Sequence, residues 1–185
     1  MIKRLGAFFL DVIEVIVFAV GIFFFIYLLV MRPHKISGQS MMPNFQDGEY
    51  ILTEKITYYR RNPERGDVVV FTPPVSNVDE FIKRVIGLPG ERVMLKDGHV
   101  YINDKLLTES YIAGDVITAG GPFLSENKEY LVPDGQYFVL GDNRQNSSDS
   151  RFWGPITKKM MSGLAWVVYW PVSIVGVIPT PSYNF

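Results

Sequence analysis

The chain has 185 residues, with 18 basic and 19 acidic side chains and a formal net charge of −1, so no basic stripe for nucleic acid is present. Cysteine is absent, which excludes disulfides, zinc thiolates and cysteine nucleophiles. The only histidines, His34 and His99, supply a metal site or a Ser-His-Asp triad poorly, so neither a metal nor a cofactor is expected.

In chain order, the first signal is Val15 to Met31, an uncharged and almost wholly apolar run of 17 residues. As a helix it spans about 26 Å, close to the hydrocarbon core once Val12 and Ile13 are added. Its apolar residues cover every face, which favours lipid over a protein core. The exit, Met31-Arg32-Pro33-His34, lacks an Ala-x-Ala cleavage site, so the run reads as an uncleaved anchor. Orientation is weakly set, with Lys3 and Arg4 before the run and Arg32 and Lys35 after it.

Beyond the anchor the pattern turns to β. Glu49 to Lys55 alternates around Tyr50, Leu52 and Glu54, and Asp67 to Phe71 is a short apolar strand stopped by Pro73-Pro74. Phe81 to Ile86 is another, closed by Leu88-Pro89-Gly90. Val93–Leu95 and His99–Ile102 flank Lys96-Asp97-Gly98, a hairpin signal that leaves His99 as a solvated turn residue. Residues 108–129 show no period and read as a long loop or an ill-defined extension. Gln136 to Leu140 is a further strand. Leu164 to Ile178 reads as two strands broken near Trp170-Pro171 that touch the lipid interface through Trp166 and Trp170, rather than as a second span. The expectation is one mainly β domain with few helices behind a single N-terminal transmembrane helix.

Three polar stretches bear on chemistry. Ser37-Gly38-Gln39-Ser40-Met41-Met42-Pro43-Asn44 lies just after the anchor. A serine hydroxyl is a weak nucleophile until a base removes its proton, and with histidine scarce a neutral lysine is the available base. Such a lysine needs a pKa roughly three units below its reference value of about 10.4, or about 4 kcal/mol, which burial beside apolar groups supplies. Lys83 has Phe81, Ile82, Val85 and Ile86 as neighbours, and in a strand Arg84 points to the opposite face. From these residues alone, Lys83-Arg84 reads first as a solvated pair on an edge strand. The third stretch, Gly141 to Arg151, is the candidate brace.

Four stretches together resemble the characteristic boxes of bacterial type I signal peptidase, the membrane-bound Ser-Lys protease of protein export. They are Ser37–Asn44, Arg65–Phe71, Lys83–Glu91 and Gly141–Gly154, in the family's order and behind its N-terminal anchor. The resemblance implies a signal-peptidase-like β domain, Ser40 as nucleophile and Lys83 as base, with Ser147 hydrogen-bonded to the lysine. It implies an Asp149–Arg151 ion pair beneath the site, with Asp142 paired to Arg84. It also implies an oxyanion hole from the Ser40 N–H and a second donor. Gly38 stands where some members carry a serine that donates, and Asn44 where threonine is usual.

By the same resemblance, the substrates are signal peptides of secretory preproteins, cut after small residues in an Ala-x-Ala pattern. Ile36, Met41, Phe45, Val70 and Ile82 are the candidates to line the pockets. The implied organisation is a cytoplasmic tail over 1–10, an anchor over 11–31 in the cell membrane, and an extracytoplasmic catalytic domain over 32–185. Membrane lipid is a partner and nucleic acid is not. Two other readings compete: a self-cleaving repressor with a related dyad, which needs a DNA-binding domain in place of the anchor, and an anchored binding module of the same fold without activity.

Overall fold

The computed structural model describes residues 2–76 and 78–184. The elements are α1 (Ile2–Val30), β1 (Met31–Lys35), β2 (Tyr50–Glu54), α2 (Ile56–Arg60), β3 (Val68–Phe71), β4 (Phe81–Gly87), β5 (Arg92–Lys96) and β6 (His99–Ile102). They continue with β7 (Lys105–Leu106), β8 (Glu129–Leu131), β9 (Gln136–Leu140), α3 (Ser150–Trp153), β10 (Ile156–Thr157), β11 (Met161–Trp170) and β12 (Gly176–Val177). The chain forms two compact units, one ending at Arg32 and the other beginning at Pro33.

The first unit is the apolar helix. Phe8–Phe25 is an 18-residue window with a mean hydropathy of 2.5, none of it buried by protein, and it is long and apolar enough to cross a membrane. The helix begins well before Val15 because Asp11 and Glu14, although charged, are tolerated in a helical backbone. Pro33 lies just beyond its end, in β1, where a helix cannot continue.

The second unit is mainly β. An eight-stranded sheet runs β1-β2-β11-β3-β4-β9-β10, with β12 paired to β11, and a four-stranded sheet runs β7-β6-β5-β8. The Val-Val-Val-Phe run of β3 is buried at all four positions, as expected of a strand covered on both faces. Its alternation sorts the core: Val68 and Val70 pack with Ile36, Met41, Phe45 and Ile51, whereas Val69 and Phe71 pack with Val85, Tyr137 and Val139. A third cluster, around Ile86, Leu95, Ile102 and Phe138, joins the two sheets.

In β2 the buried positions are Ile51 and Thr53, so Tyr50, Leu52 and Glu54 form the less buried face. The predicted hairpin forms as β5 and β6 with Lys96 opposite His99, and His99 is exposed. Residues 107–128 contain no helix or strand, and the chain breaks between two strands after Trp170, as expected.

Among the described residues, seven charged side chains, Asp67, Lys83, Arg84, Asp142, Arg144, Asp149 and Arg151, are at most 3% exposed. This burial overturns the solvated-pair reading of Lys83-Arg84.

Candidate active site

β4 places the two basic residues by simple alternation. It pairs with β3 on one side, Lys83 opposite Val69 and Arg84 opposite Val68, so the two side chains leave on opposite faces. On its other side β4 pairs with β9 only from Arg84 onward. Among the described residues, Phe81, Ile82 and Lys83 therefore keep one unpaired edge.

The turn after β1 carries Ser40 to that edge. Lys83 Nζ lies 2.7 Å from Ser40 Oγ and also donates to the Ile82 carbonyl oxygen at 2.8 Å. The Phe81 ring lies 5.2 Å from the amine. Burial lowers the Lys83 pKa against the opposing pull of Asp149 and Asp142, from 10.5 to about 8. A lysine so placed is neutral in a usable fraction near neutral pH, and its lone pair is within reach of a serine proton.

The stretch from Gly141 to Arg151 closes over this pair from behind. The Asn143 N–H donates to the Ser40 carbonyl oxygen at 3.0 Å, and the Asn143 side chain donates to the Gln39 carbonyl at 3.0 Å. Gly141 sits so close that a Cβ there meets Ser147 Oγ at 2.2 Å and the Ser40 carbonyl oxygen at 2.5 Å; only glycine fits. Asp149 accepts from the Gly141 N–H at 3.1 Å and takes Arg151 through Nε and Nη2, both at 2.8 Å. Asp142 takes Arg84 through Nε at 2.9 Å and Nη2 at 2.6 Å. Burial works against the Arg84 charge, but the hydrogen bonds and charge of Asp142 outweigh it and raise the guanidinium pKa.

The structure separates other candidates. Among the described residues Ser147 Oγ is buried with no hydrogen-bond partner, so the expected bond to Lys83 is not formed; the amine donates to Ser40 and Ile82 instead. The Gly38 N–H is engaged by Asp47 Oδ1 at 2.8 Å, and its φ of +95° lies in the region that side chains avoid. Asn44 bonds Asp142 Oδ2 and the Tyr111 carbonyl, each at 2.8 Å, and so braces the turn.

A groove of about 550 Å³ opens beside Ser40 and Lys83 and is lined in part by Ile36, Val70 and Ile82, with Ile51 added. Met41 and Phe45, expected there, are not part of it. Both are buried in the core with Val68 and Ala165, because the turn that presents Ser40 outward sends its apolar neighbours inward. The groove also includes His34 and Glu80, paired at 3.1 Å, which sequence reasoning passed over. Their separation by more than forty positions leaves no local signal.

The family signature extends over nearly the same span. Residues 9–170 match the family described as signal peptidase, peptidase S26. A probable signal peptidase I-2 from Synechocystis sp. is 42% identical over 171 residues, covering 90% of this chain and 73% of that protein. The signal peptidase I of Bacillus licheniformis is 36% identical over 163 residues, covering 86% of this chain and 87% of that protein. A signal peptidase I from Enterococcus faecalis, solved as a crystal structure, superposes with a TM-score of 0.45 at 32% identity, covering 56% of this chain and 97% of that one. A part-buried serine–lysine contact on a β scaffold, and relatives of this identity over most of their length, lead to one assignment: the chain belongs to the signal peptidase I family of serine hydrolases, peptidase family S26.

Proposed function

We propose that the protein is a membrane-anchored serine endopeptidase that removes N-terminal signal peptides from exported preproteins with a Ser-Lys dyad. The 2.7 Å contact between buried Lys83 Nζ and Ser40 Oγ carries this reading. Neutral Lys83 takes the Ser40 proton as Oγ attacks the scissile carbonyl, then returns it to the leaving amine. The acyl-enzyme is hydrolysed by water deprotonated by the same lysine. The Ser40 N–H serves the developing oxyanion together with a second donor. The Gly38 N–H, held by Asp47, is not that donor.

Asp142 with Arg84, and Asp149 with Arg151, hold the two segments that meet at the dyad. Ser147, packed against Gly141 and without a bond to the amine, is assigned to shaping the wall behind the pair rather than to reacting. The substrate lies extended along the unpaired edge of Phe81–Lys83. Ile36, Val70 and Ile82 form shallow apolar walls that reject bulk at the first and third positions before the cut. The apolar helix anchors the chain in the cell membrane, with residues 1–10 in the cytoplasm and the catalytic domain, 32–185, on the extracytoplasmic face.

The test uses the full chain in detergent with a preprotein ending its signal in Ala-x-Ala. Wild type is expected to cut after the second alanine, Ser40→Ala to be inert, and a bulky residue at that alanine to block cutting. Equal cleavage by folded Ser40→Ala protein defeats the proposal.

A further inference from the structure

The segment that sequence reasoning left undefined, 108–129, reaches all parts of the catalytic apparatus through Tyr111. The Tyr111 ring lies over the Arg84 guanidinium at 4.2 Å. Its carbonyl accepts from Asn44, four residues past Ser40, at 2.8 Å. Its hydroxyl donates to Glu109 at 2.5 Å and accepts from Arg144 Nη2 at 3.2 Å. Arg144 is itself held by both Glu109 oxygens and by Thr118 Oγ1 at 2.7 Å. Three separate segments carry the site: the Ser40 turn, β4 and the stretch 141–151. Tyr111 touches all three and takes no part in lining the groove.

We infer that Tyr111 is a positioning residue for the Ser40–Lys83 pair, acting as the joint that sets the three segments against one another. The inference rests on the dyad reading above. The aromatic face caps the guanidinium that pairs with Asp142, and stacking there is geometric as well as attractive. Asp142 is shared by Arg84 and Asn44, so Tyr111 fixes both ends of the same carboxylate bridge. Arg84 is the chain neighbour of Lys83, and Asn44 lies in the turn of Ser40. Tilting either one displaces the nucleophile from its base, and a displacement on the order of 1 Å costs about 100-fold in rate.

The charged groups around the Lys83 amine are Asp149 and Asp142 from the stretch 141–151, with Arg84 beside it on β4. Opening the Tyr111 joint admits water toward this cluster and relaxes the burial that lowers the lysine pKa. The acidic limb of the kcat/KM profile then moves to higher pH, toward the ordinary lysine value. A residue that merely supports folding lowers the active fraction but leaves that limb in place.

The experiment compares wild type, Tyr111→Ala, Tyr111→Leu and Tyr111→Phe as full chains in detergent, with Ser40→Ala alongside. Tyr111→Leu keeps bulk without an aromatic face and guards against a Tyr111→Ala protein that does not fold. Tyr111→Phe keeps the ring and the backbone contact. The expected result is a kcat loss on the order of 100-fold for Tyr111→Ala and Tyr111→Leu with KM little changed. Their acidic limb should move to higher pH, and Tyr111→Phe should recover most of the rate. A folded Tyr111→Leu protein with wild-type kcat, or with lowered kcat and an unmoved limb, overturns the inference. Activity retained by Ser40→Ala defeats the dyad reading instead, so the two failures are told apart.

Discussion

Replacing Lys83 by methionine is expected to abolish cleavage and stabilise the fold at neutral pH. The side chain is 3% exposed, and burial brings its pKa from 10.5 to about 8. That drop corresponds to about 3 kcal/mol against the charged form. The sign follows from proton counting: between about 8 and 10.5 the unfolded chain holds the proton more tightly than the folded one. The penalty is therefore complete below pH 8 and is relieved as pH rises to 10.5. Methionine keeps the bulk and removes the penalty, but it forfeits the bonds to Ser40 and Ile82, worth about 1 kcal/mol each. The net gain at pH 7 is about 1–2 kcal/mol, and it should vanish or reverse near pH 10.5. Urea unfolding of the full chain in detergent at both pH values measures this, with preprotein cleavage run on the same samples. Equal stability differences at the two pH values, or near-normal cleavage by the folded variant, refute the reasoning.

Wild-type cleavage should rise with pH along a limb centred near 8, and His34→Ala and His99→Ala should both leave that limb in place; its loss in either variant would move the base to histidine. Gly141→Ala should cost at least 1–3 kcal/mol, as expected of overpacking, and most of the activity, since its Cβ meets the Ser40 carbonyl oxygen at 2.5 Å; unchanged thermal unfolding would contradict the close approach. Asp142→Ala strands the buried Arg84 charge and should destabilise by about 3–5 kcal/mol, read by urea titration. Protease added to intact spheroplasts should digest the domain after residue 32, whereas protection until lysis would reverse the proposed orientation.

Much of the fold was legible because its strands are short, apolar and bounded by turn residues. Val68–Phe71, Phe81–Ile86 and the Asp97-Gly98 hairpin are examples, and the sheet alternation then separates Lys83 from Arg84 without further information. The Ser40–Lys83 contact could be expected only through the family resemblance that the four stretches carry together, since nothing local joins residues forty-three apart. The segment 108–129 resisted reading because its order comes from side chains of distant residues. Arg144 fixes Glu109 and Thr118, and Arg151 fixes the Ala119 carbonyl, so no periodic apolar face is needed. Met41 and Phe45 misled for the opposite reason: apolar residues beside a reactive serine suit a pocket and a core equally, and only the direction of the turn decides.

The unpaired stretch of β4 also bears on solubility and selectivity. Exposed sheet edges invite other sheets to add on, and proteins blunt them by keeping them short or charged. Here the opening is three residues, Phe81 to Lys83, or about 10 Å. It closes against β9 at one end, and Glu80 sits at the other. So short a window gives a second folded sheet little to register against. A single flexible strand can enter it at the entropic cost of ordering only a few residues. On the proposed reading, the edge therefore favours a segment that has not yet folded over one already held in a sheet.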